Sequence, residues 1–141
     1  MADDDARRAA WEERYEAGRT GWDRGEASPA ARAWIAVGAV PNGRVLVPGC
    51  GNGHEIHELV RYGCEVTAVD IASQPVARLR AELEAAGLSA DVVQRDLLEW
   101  QPDAPFDAIY EQTCLCALDP IYWPAYELRL STWLKPGGSL F

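Results

Sequence analysis

The chain has 141 residues, 48% hydrophobic and 25% charged, the profile of one soluble globular domain and not of a disordered or collagen-like chain. With 13 Lys and Arg against 22 Asp and Glu, a net charge of −9 argues against nucleic acid and anionic lipid as partners, and no basic stripe gathers the few cations. The opening MADDDARRAAWEERYEAG is too charged for a signal peptide, and no run of about 18 apolar residues occurs, so the sequence reads as a cytoplasmic protein.

In chain order, Asp3 to Asp5 can cap a first helix that carries Trp11 and Tyr15 on one face and stops at Gly18. A loop, RTGWDRGEA, runs from Arg19 to Ala27. Ser28 before Pro29 then starts a second helix through Trp34 and Ile35. From here strands and helices alternate. Val45 to Val47 is an apolar strand leading into Pro48-Gly49-Cys50-Gly51-Asn52-Gly53. Ile56, Leu59 and Val60 follow at helical spacing, closed by Gly63. Val66 to Val69 makes a second strand ending at Asp70. Ser73 and Pro75 cap a helix with Val76, Leu79 and Leu83 on one face, ended by Gly87. Val92 and Val93 form a third strand leading to Asp96, and Phe106 to Glu111 a fourth. Asp119-Pro120 and Pro124 mark helix starts, and Pro124 interrupts any single helix from residue 120; Tyr126, Leu130, Trp133 and Leu134 mark its buried face. A turn, Lys135-Pro136-Gly137-Gly138, introduces a last strand from Ser139 to Phe141.

Strands alternating with helices need crossover connections, which predicts a doubly wound α/β fold with a parallel sheet covered on both faces. In such sheets ligands bind at the carboxyl ends of the strands, where the glycine-rich turn falls. Glycine at 49, 51 and 53 lets backbone approach a ligand that a Cβ would obstruct. Asp70 ends the next strand, where a carboxylate can accept from the ribose hydroxyls of an adenosine. A dinucleotide fingerprint would need a third glycine at position 54, where His54 stands. The spacing instead suits an adenosine carrying an amino-acid tail without phosphate, as in S-adenosylmethionine. Asp96 can accept from the adenine amino group with Leu97 and Leu98 flanking the ring, and equally suits an N-cap for the residues to Trp100. Cys50, Cys64, Cys114 and Cys116 lack paired C-x-x-C spacing and lie in apolar runs, as reduced buried cysteines do, so no metal site is expected.

Beyond these local signals, Trp11-x3-Tyr15-x2-Gly18-x-Thr20-Gly21-Trp22-Asp23, Ser28-Pro29, VLVPGCGNGHE, VTAVDIA, RDLLEW and FDAIYEQTCLCALDP resemble the thiopurine S-methyltransferase superfamily, the halide/thiol methyltransferase branch in particular. The resemblance implies a class I methyltransferase fold, strand order 3-2-1-4-5 with the last two of seven strands missing. It also implies S-adenosylmethionine as donor, S-adenosylhomocysteine as product, and a small-molecule acceptor: a thiol, thiopurine, thiocyanate or halide. Cofactor contacts carry over to Trp11, Tyr15 and Trp22, closing over the sulfonium, and to Gly49, Cys50, Gly51, Gly53, Asp70, Ile71, Asp96, Leu97, Leu98 and Gln112. Acceptor-side candidates are Glu111, Gln112 and Cys114. Where relatives commonly have tyrosine or arginine, this sequence has Gln112.

A soft anionic acceptor needs no general base, since the protein has chiefly to hold donor and nucleophile at near-attack distance. His54 and His57 therefore read as solvated or helix-terminal residues, and Cys114 and Cys116 as apolar lining. Two other readings stay open: a nicotinamide-dependent oxidoreductase, and a cofactor-binding chain without activity. Residues 1–43 are expected to form a helical cofactor lid and 44–141 the core of one domain, truncated at its carboxyl end. The last strand would leave an edge that suits a monomer or an edge-paired dimer.

Overall fold

The computed structural model describes residues 2–141, with side-chain detail from Asp4 onward. Strands β1 (Arg44–Pro48), β2 (Glu65–Asp70), β3 (Asp91–Gln94), β4 (Phe106–Ile109) and β5 (Leu134–Leu140) form one sheet in the order β3-β2-β1-β4-β5, every neighbouring pair parallel. This is the expected fold class and order. Helices α1 (Ala2–Glu16), α2 (Pro29–Ala36), α3 (His54–Tyr62), α4 (Ser73–Ala85), α5 (Cys114–Ala117) and α6 (Trp123–Trp133) accompany it, with a 3₁₀ turn at Pro120–Tyr122.

Period-2 alternation divides the core between the two faces. Val45 and Val47 of β1 and Val66 and Ala68 of β2 pack with Ile56 and Leu59 of α3 and Val76, Leu79 and Leu83 of α4. Leu46 and Val69 face the other way, toward Trp100, Phe106, Tyr126 and Trp133. Apolar side chains on both faces make the short strands read as nearly continuous hydrophobic runs. Among the described residues, no helix is long and apolar enough to cross a membrane.

Local signals set most boundaries. Ser28 Oγ accepts from the Ala31 amide at 3.2 Å and caps α2, with Pro29 opening it. Gly63 and Gly87, both left-handed, end α3 and α4. Some details differ from the sequence reading, Leu134 among them, which opens β5 and is not on the face of α6. Helix α1 starts at Ala2, so Asp4 and Asp5 stand inside its first turn, and the capping role expected of Asp3 lies outside the described side chains. The α4 cap position is Ala72, and the carboxylate of Glu12, on α1, meets the Ser73 amide and hydroxyl at 2.6 and 2.8 Å. Strand β4 stops at Ile109, two residues short, and the next residues lead into the one-turn helix α5. Lys135 to Gly138 do not precede the last strand but bulge within it, since Leu134 pairs with Phe106 and Ser139 with Ala108. Cys116 is exposed, whereas Cys50, Cys64 and Cys114 are buried as expected.

Candidate functional site

A cavity of about 330 Å³ opens at the carboxyl ends of β1, β2 and β4, the place predicted for a ligand in a parallel sheet. Its floor is the turn after β1, where Gly49, Gly51 and Gly53 all adopt positive φ (59°, 53° and 68°). Their bare Cα atoms serve different ends. A Cβ on Gly49 would lie 2.7 Å from Cys114 Sγ, and one on Gly53 would lie 2.7 Å from Leu79, so those two glycines are required by packing. A Cβ on Gly51 would meet Tyr15 Oη at 3.2 Å, so this position lies directly beneath the aromatic residues that face the turn.

The roof is aromatic. Trp11 and Tyr15 lie on α1 and Trp22 on the following loop, and Trp22 meets both edge-on, with ring centroids 5.5 and 5.8 Å away. Tyr15 is buried, and burial next to Asp70 pushes its hydroxyl well above the ordinary tyrosine range, so it stays neutral. The loop is tied to the floor by Asp23. Its carboxylate receives the Gly25 amide at 2.7 Å and the Asn52 amide group, and stands 2.6 Å from His54 Nε2. Burial opposes ionisation of Asp23, but these bonds outweigh it and hold the carboxyl below its usual value.

Behind the floor, Asp70 at the end of β2 is 8% exposed and accepts from Gly51 N–H at 2.9 Å and Ala72 N–H at 3.0 Å. Burial dominates there and raises its pKa despite the two bonds. Neighbouring backbone amides thus hold the carboxylate in place at the end of β2, and it keeps further acceptor capacity. Asp96, after β3, is also buried. Oδ1 accepts from Leu98 N–H at 2.9 Å, the turn-capping contact, and Oδ2 is paired with Arg7 of α1. Burial works against this charge, yet Leu98, Arg7 and Asp4 together keep Asp96 below the usual carboxylate value and raise Asp4.

Most predicted site residues converge on this cavity: Trp11, Tyr15, Trp22, Gly49, Cys50, Gly51, Gly53, Asp70, Ile71, Asp96, Leu97, Gln112 and Cys114 all line it. Leu98 does not; it packs against the core around Trp100 and Trp133. Glu111 is also off the wall. Its Oε1 accepts from Leu115 N–H at 2.6 Å and lies 3.3 Å from Tyr126 Oη, so it holds α5 in place. His54 lines the cavity through its bond to Asp23, and His57 lies 3.3 Å from the Gly53 carbonyl. Burial pushes the Cys114 thiol up to about 12 and Cys50 well above its ordinary value, so both remain thiols.

Asp23, Arg7 and Glu12 shape the site without having been singled out as ligands. Asp23 carried a signal, its place beside Trp22 in a loop before the glycine turn. Arg7 and Glu12 carried none, since charges on an amphipathic helix read as a solvated face. Thr113, also on the wall, is the one non-glycine residue with positive φ (62°) among those described, a strained conformation of the kind that collects at ligand sites.

A sequence profile of the family described as Thiopurine S-methyltransferase matches residues 6–141. The chain is 34% identical over 132 residues to a "Probable thiol methyltransferase 2" of Arabidopsis thaliana, covering 92% of this chain and 58% of that protein. It is 33% identical over 133 residues, with the same coverage, to "Thiocyanate methyltransferase 1" of Brassica oleracea. It therefore spans about three-fifths of the length of these curated relatives. The crystal structure of Burkholderia thailandensis 1,6-didemethyltoxoflavin-N1-methyltransferase, with bound 1,6-didemethyltoxoflavin and S-adenosylhomocysteine, superposes with a TM-score of 0.77. The match is 28% identical and covers 93% of this chain and 57% of that one.

Proposed function

Because the chain belongs to the thiopurine S-methyltransferase family, we propose that it binds S-adenosylmethionine in the cavity beneath Trp11, Tyr15 and Trp22 and transfers a methyl group to a small soft nucleophile: a thiol, thiopurine, thiocyanate or halide. The observation that carries the reading is the stacking of features in one place: three aromatic rings above a left-handed Gly51, with a buried carboxylate, Asp70, behind it.

The residues present fit the cofactor. Bare backbone at Gly51, beside Gly49, Cys50 and Gly53, would leave room for the amino-acid tail, and Asp70 would accept from the ribose hydroxyls. Ile71 and Leu97 would flank the adenine, and Asp96 would accept from its amino group while holding Arg7. When bound, S-adenosylmethionine supplies a methyl group on a positively charged sulfur. The rings of the roof attract that cation and exclude water from it.

On the acceptor side, Gln112, Cys114, Cys116 and Leu118 form the wall. No carboxylate or imidazole stands among them: Glu111 lies off this wall and holds α5, the Cys114 thiol keeps its proton, and His54 is turned to Asp23. An acceptor that arrives already anionic or soft meets the chemistry of this wall, whereas an alcohol would need a positioned base.

Two further expectations accompany the reading. Residues 1–43 act as the lid of a core formed by 44–141, and the chain works in the cytoplasm on a small-molecule acceptor, as a monomer or as a dimer joined along β5. Titration calorimetry with S-adenosylmethionine and, separately, NAD tests the donor, and binding of NAD alone would sink the proposal. A methylation panel of hydrosulfide, thiocyanate, iodide, thiopurine and aryl thiols then tests the acceptor. Tight cofactor binding with no turnover of any of them would favour a binding chain over an enzyme.

A further inference from the structure

Beside the acceptor wall runs a set of contacts that the methyl-transfer reading does not use. Tyr110 Oη lies 2.5 Å from Gln112 Oε1 and 3.1 Å from Ser28 Oγ. Ser28 is itself held on two sides, its Oγ accepting from Ala31 N–H and its own N–H donating to Glu55 Oε1 at 3.0 Å. Burial raises the pKa of Tyr110, with Glu55 adding to the rise and Arg24 opposing it, so the phenol keeps its proton.

A phenol has one proton to give. Across the shorter contact it goes to the Gln112 carbonyl, and the tyrosine oxygen receives from the Ser28 hydroxyl. Tyr110 Oη, the Ser28 hydroxyl and Gln112 Oε1 are then all matched. The opposite amide orientation would turn the Tyr110 proton onto Ser28 and leave the serine's own proton without an acceptor among the described residues. The Gln112 Nε2 group has no protein partner among those residues, and Gln112 lines the cavity. The strained Thr113 follows immediately, its hydroxyl donating to the main-chain carbonyl oxygen of Gln112 at 2.6 Å and fixing the backbone from which the side chain projects.

We infer that Ser28 and Tyr110 act as positioning residues, a relay that locks the Gln112 amide with its N–H groups turned into the cavity, so that the acceptor site presents a hydrogen-bond donor and selects small anionic nucleophiles. The inference rests on the methyl-transfer reading above and adds what orients its acceptor wall. A thiolate or thiocyanate offers lone pairs to that donor. A nucleophile that presents its own N–H there sets donor against donor, and such a mismatch in a desolvated pocket discriminates strongly.

The test is thiocyanate binding to the chain saturated with S-adenosylhomocysteine, followed by calorimetry and by the side-chain amide resonances of Gln112, which are assigned by their loss in Gln112→Glu. The relay predicts saturable binding that moves those resonances. Gln112→Glu keeps an oxygen for Tyr110 but turns a second oxygen and a negative charge into the cavity, weakening thiocyanate at least about tenfold. Tyr110→Phe frees the amide and weakens thiocyanate about three- to tenfold. The double variant Tyr110→Phe/Gln112→Glu binds no worse than Gln112→Glu alone, because Tyr110 acts through Gln112. A purely structural Tyr110 would instead carry its full loss into the Gln112→Glu background, which overturns the inference. Thiocyanate affinity indifferent to Gln112, or no thiocyanate binding while S-adenosylhomocysteine binds, overturns it and leaves the donor site standing. Failure of the unaltered chain to bind S-adenosylhomocysteine overturns the reading beneath it.

Discussion

His54 Nε2 stands 2.6 Å from Asp23 Oδ1, a contact that joins the first residue of α3 to the loop carrying Trp22. The same carboxylate also receives Asn52 and the Gly25 amide, so one acid pins the loop to the floor of the cavity. Asp23→Ala removes all three contacts without touching the ligand pocket's rings. S-adenosylhomocysteine affinity is expected to fall by ~1–2 kcal/mol, with a smaller change in melting temperature, since what is lost is the ordering of the loop. Asp23→Asn, which keeps an acceptor for Gly25, should recover part of the loss. Calorimetry on the two variants checks this, and equal affinities for Asp23→Ala and the unaltered chain would show that the loop does not close the site.

Asp70 accepts from two backbone amides and, in the proposed function, from the ligand as well. Asp70→Ala is expected to weaken S-adenosylhomocysteine binding by ~1.5–3 kcal/mol for each charged hydrogen bond lost. It also strips an acceptor from the Gly51 and Ala72 amides, so stability should fall by ~1–3 kcal/mol in denaturant titration. Lost stability with intact affinity would leave Asp70 a purely structural acid.

The same residue sets a pH dependence. Burial raises the Asp70 pKa in the free chain, and ribose hydroxyls donate to its ionised form, so binding lowers that pKa again. Affinity therefore declines as pH falls through the raised value, above the ordinary aspartate pKa of about 3.9. Asp23, held below its usual value, stays ionised through that window and contributes nothing to the decline. Affinities measured by calorimetry between about pH 8 and pH 4.5 should show the fall in the unaltered chain and a shallower one in Asp70→Asn, whose amide cannot titrate.

The glycine turn should separate into two kinds of variant. Gly49→Ala places a Cβ 2.7 Å from Cys114 Sγ at φ 59°, which is overpacking combined with backbone strain and should cost ~2–4 kcal/mol of stability. Gly51→Ala carries the same kind of backbone strain, at φ 53°, but its Cβ meets no packed neighbour, only Tyr15 Oη at 3.2 Å and Trp22 Nε1 at 4.0 Å, so the fold tolerates it better and the larger loss falls on cofactor affinity. Thermal unfolding and calorimetry on both variants distinguish the two, and a Gly51→Ala chain with unchanged affinity would place the ligand elsewhere.

How much of this could be read from the residues depends on how local the cause was. Ser28-Pro29, Gly63 and Gly87 fix helix ends through their own backbone and side-chain chemistry, and strands buried on both faces announce themselves as apolar runs; so the order of elements and the position of the glycine turn were legible. Helix α5 was not, because four residues are too few for a period and Glu111 and Tyr126 hold it in place. Lys135 to Gly138 have the composition of a turn, and only pairing with β4 on either side makes them a bulge. The roles of Cys116 and Leu98 turned on which side of a short segment met solvent or core, which no spacing decides. The cap of α4 was misplaced because its acceptor comes from Glu12, 61 residues away.

That distant cap provides the last test. Glu12 holds Ser73 with both oxygens, and Arg7 pairs with Asp96, so α1 is fastened at the ends of β2 and β3 by one contact near its middle and one nearer its start. Trp11 and Tyr15 ride on the same helix. Glu12→Ala removes a helix cap, which costs ~0.5–2 kcal/mol, and lets the roof lift at one point. With α1 acting as the proposed lid, hydrogen exchange in residues 4–16 should accelerate while the β1 and β2 amides stay protected. S-adenosylhomocysteine should restore protection in that helix, since a ligand that binds only the closed form offsets the lost cap by mass action. Uniform acceleration across the sheet would mean that α1 is an integral wall of the core and not a separately docked lid.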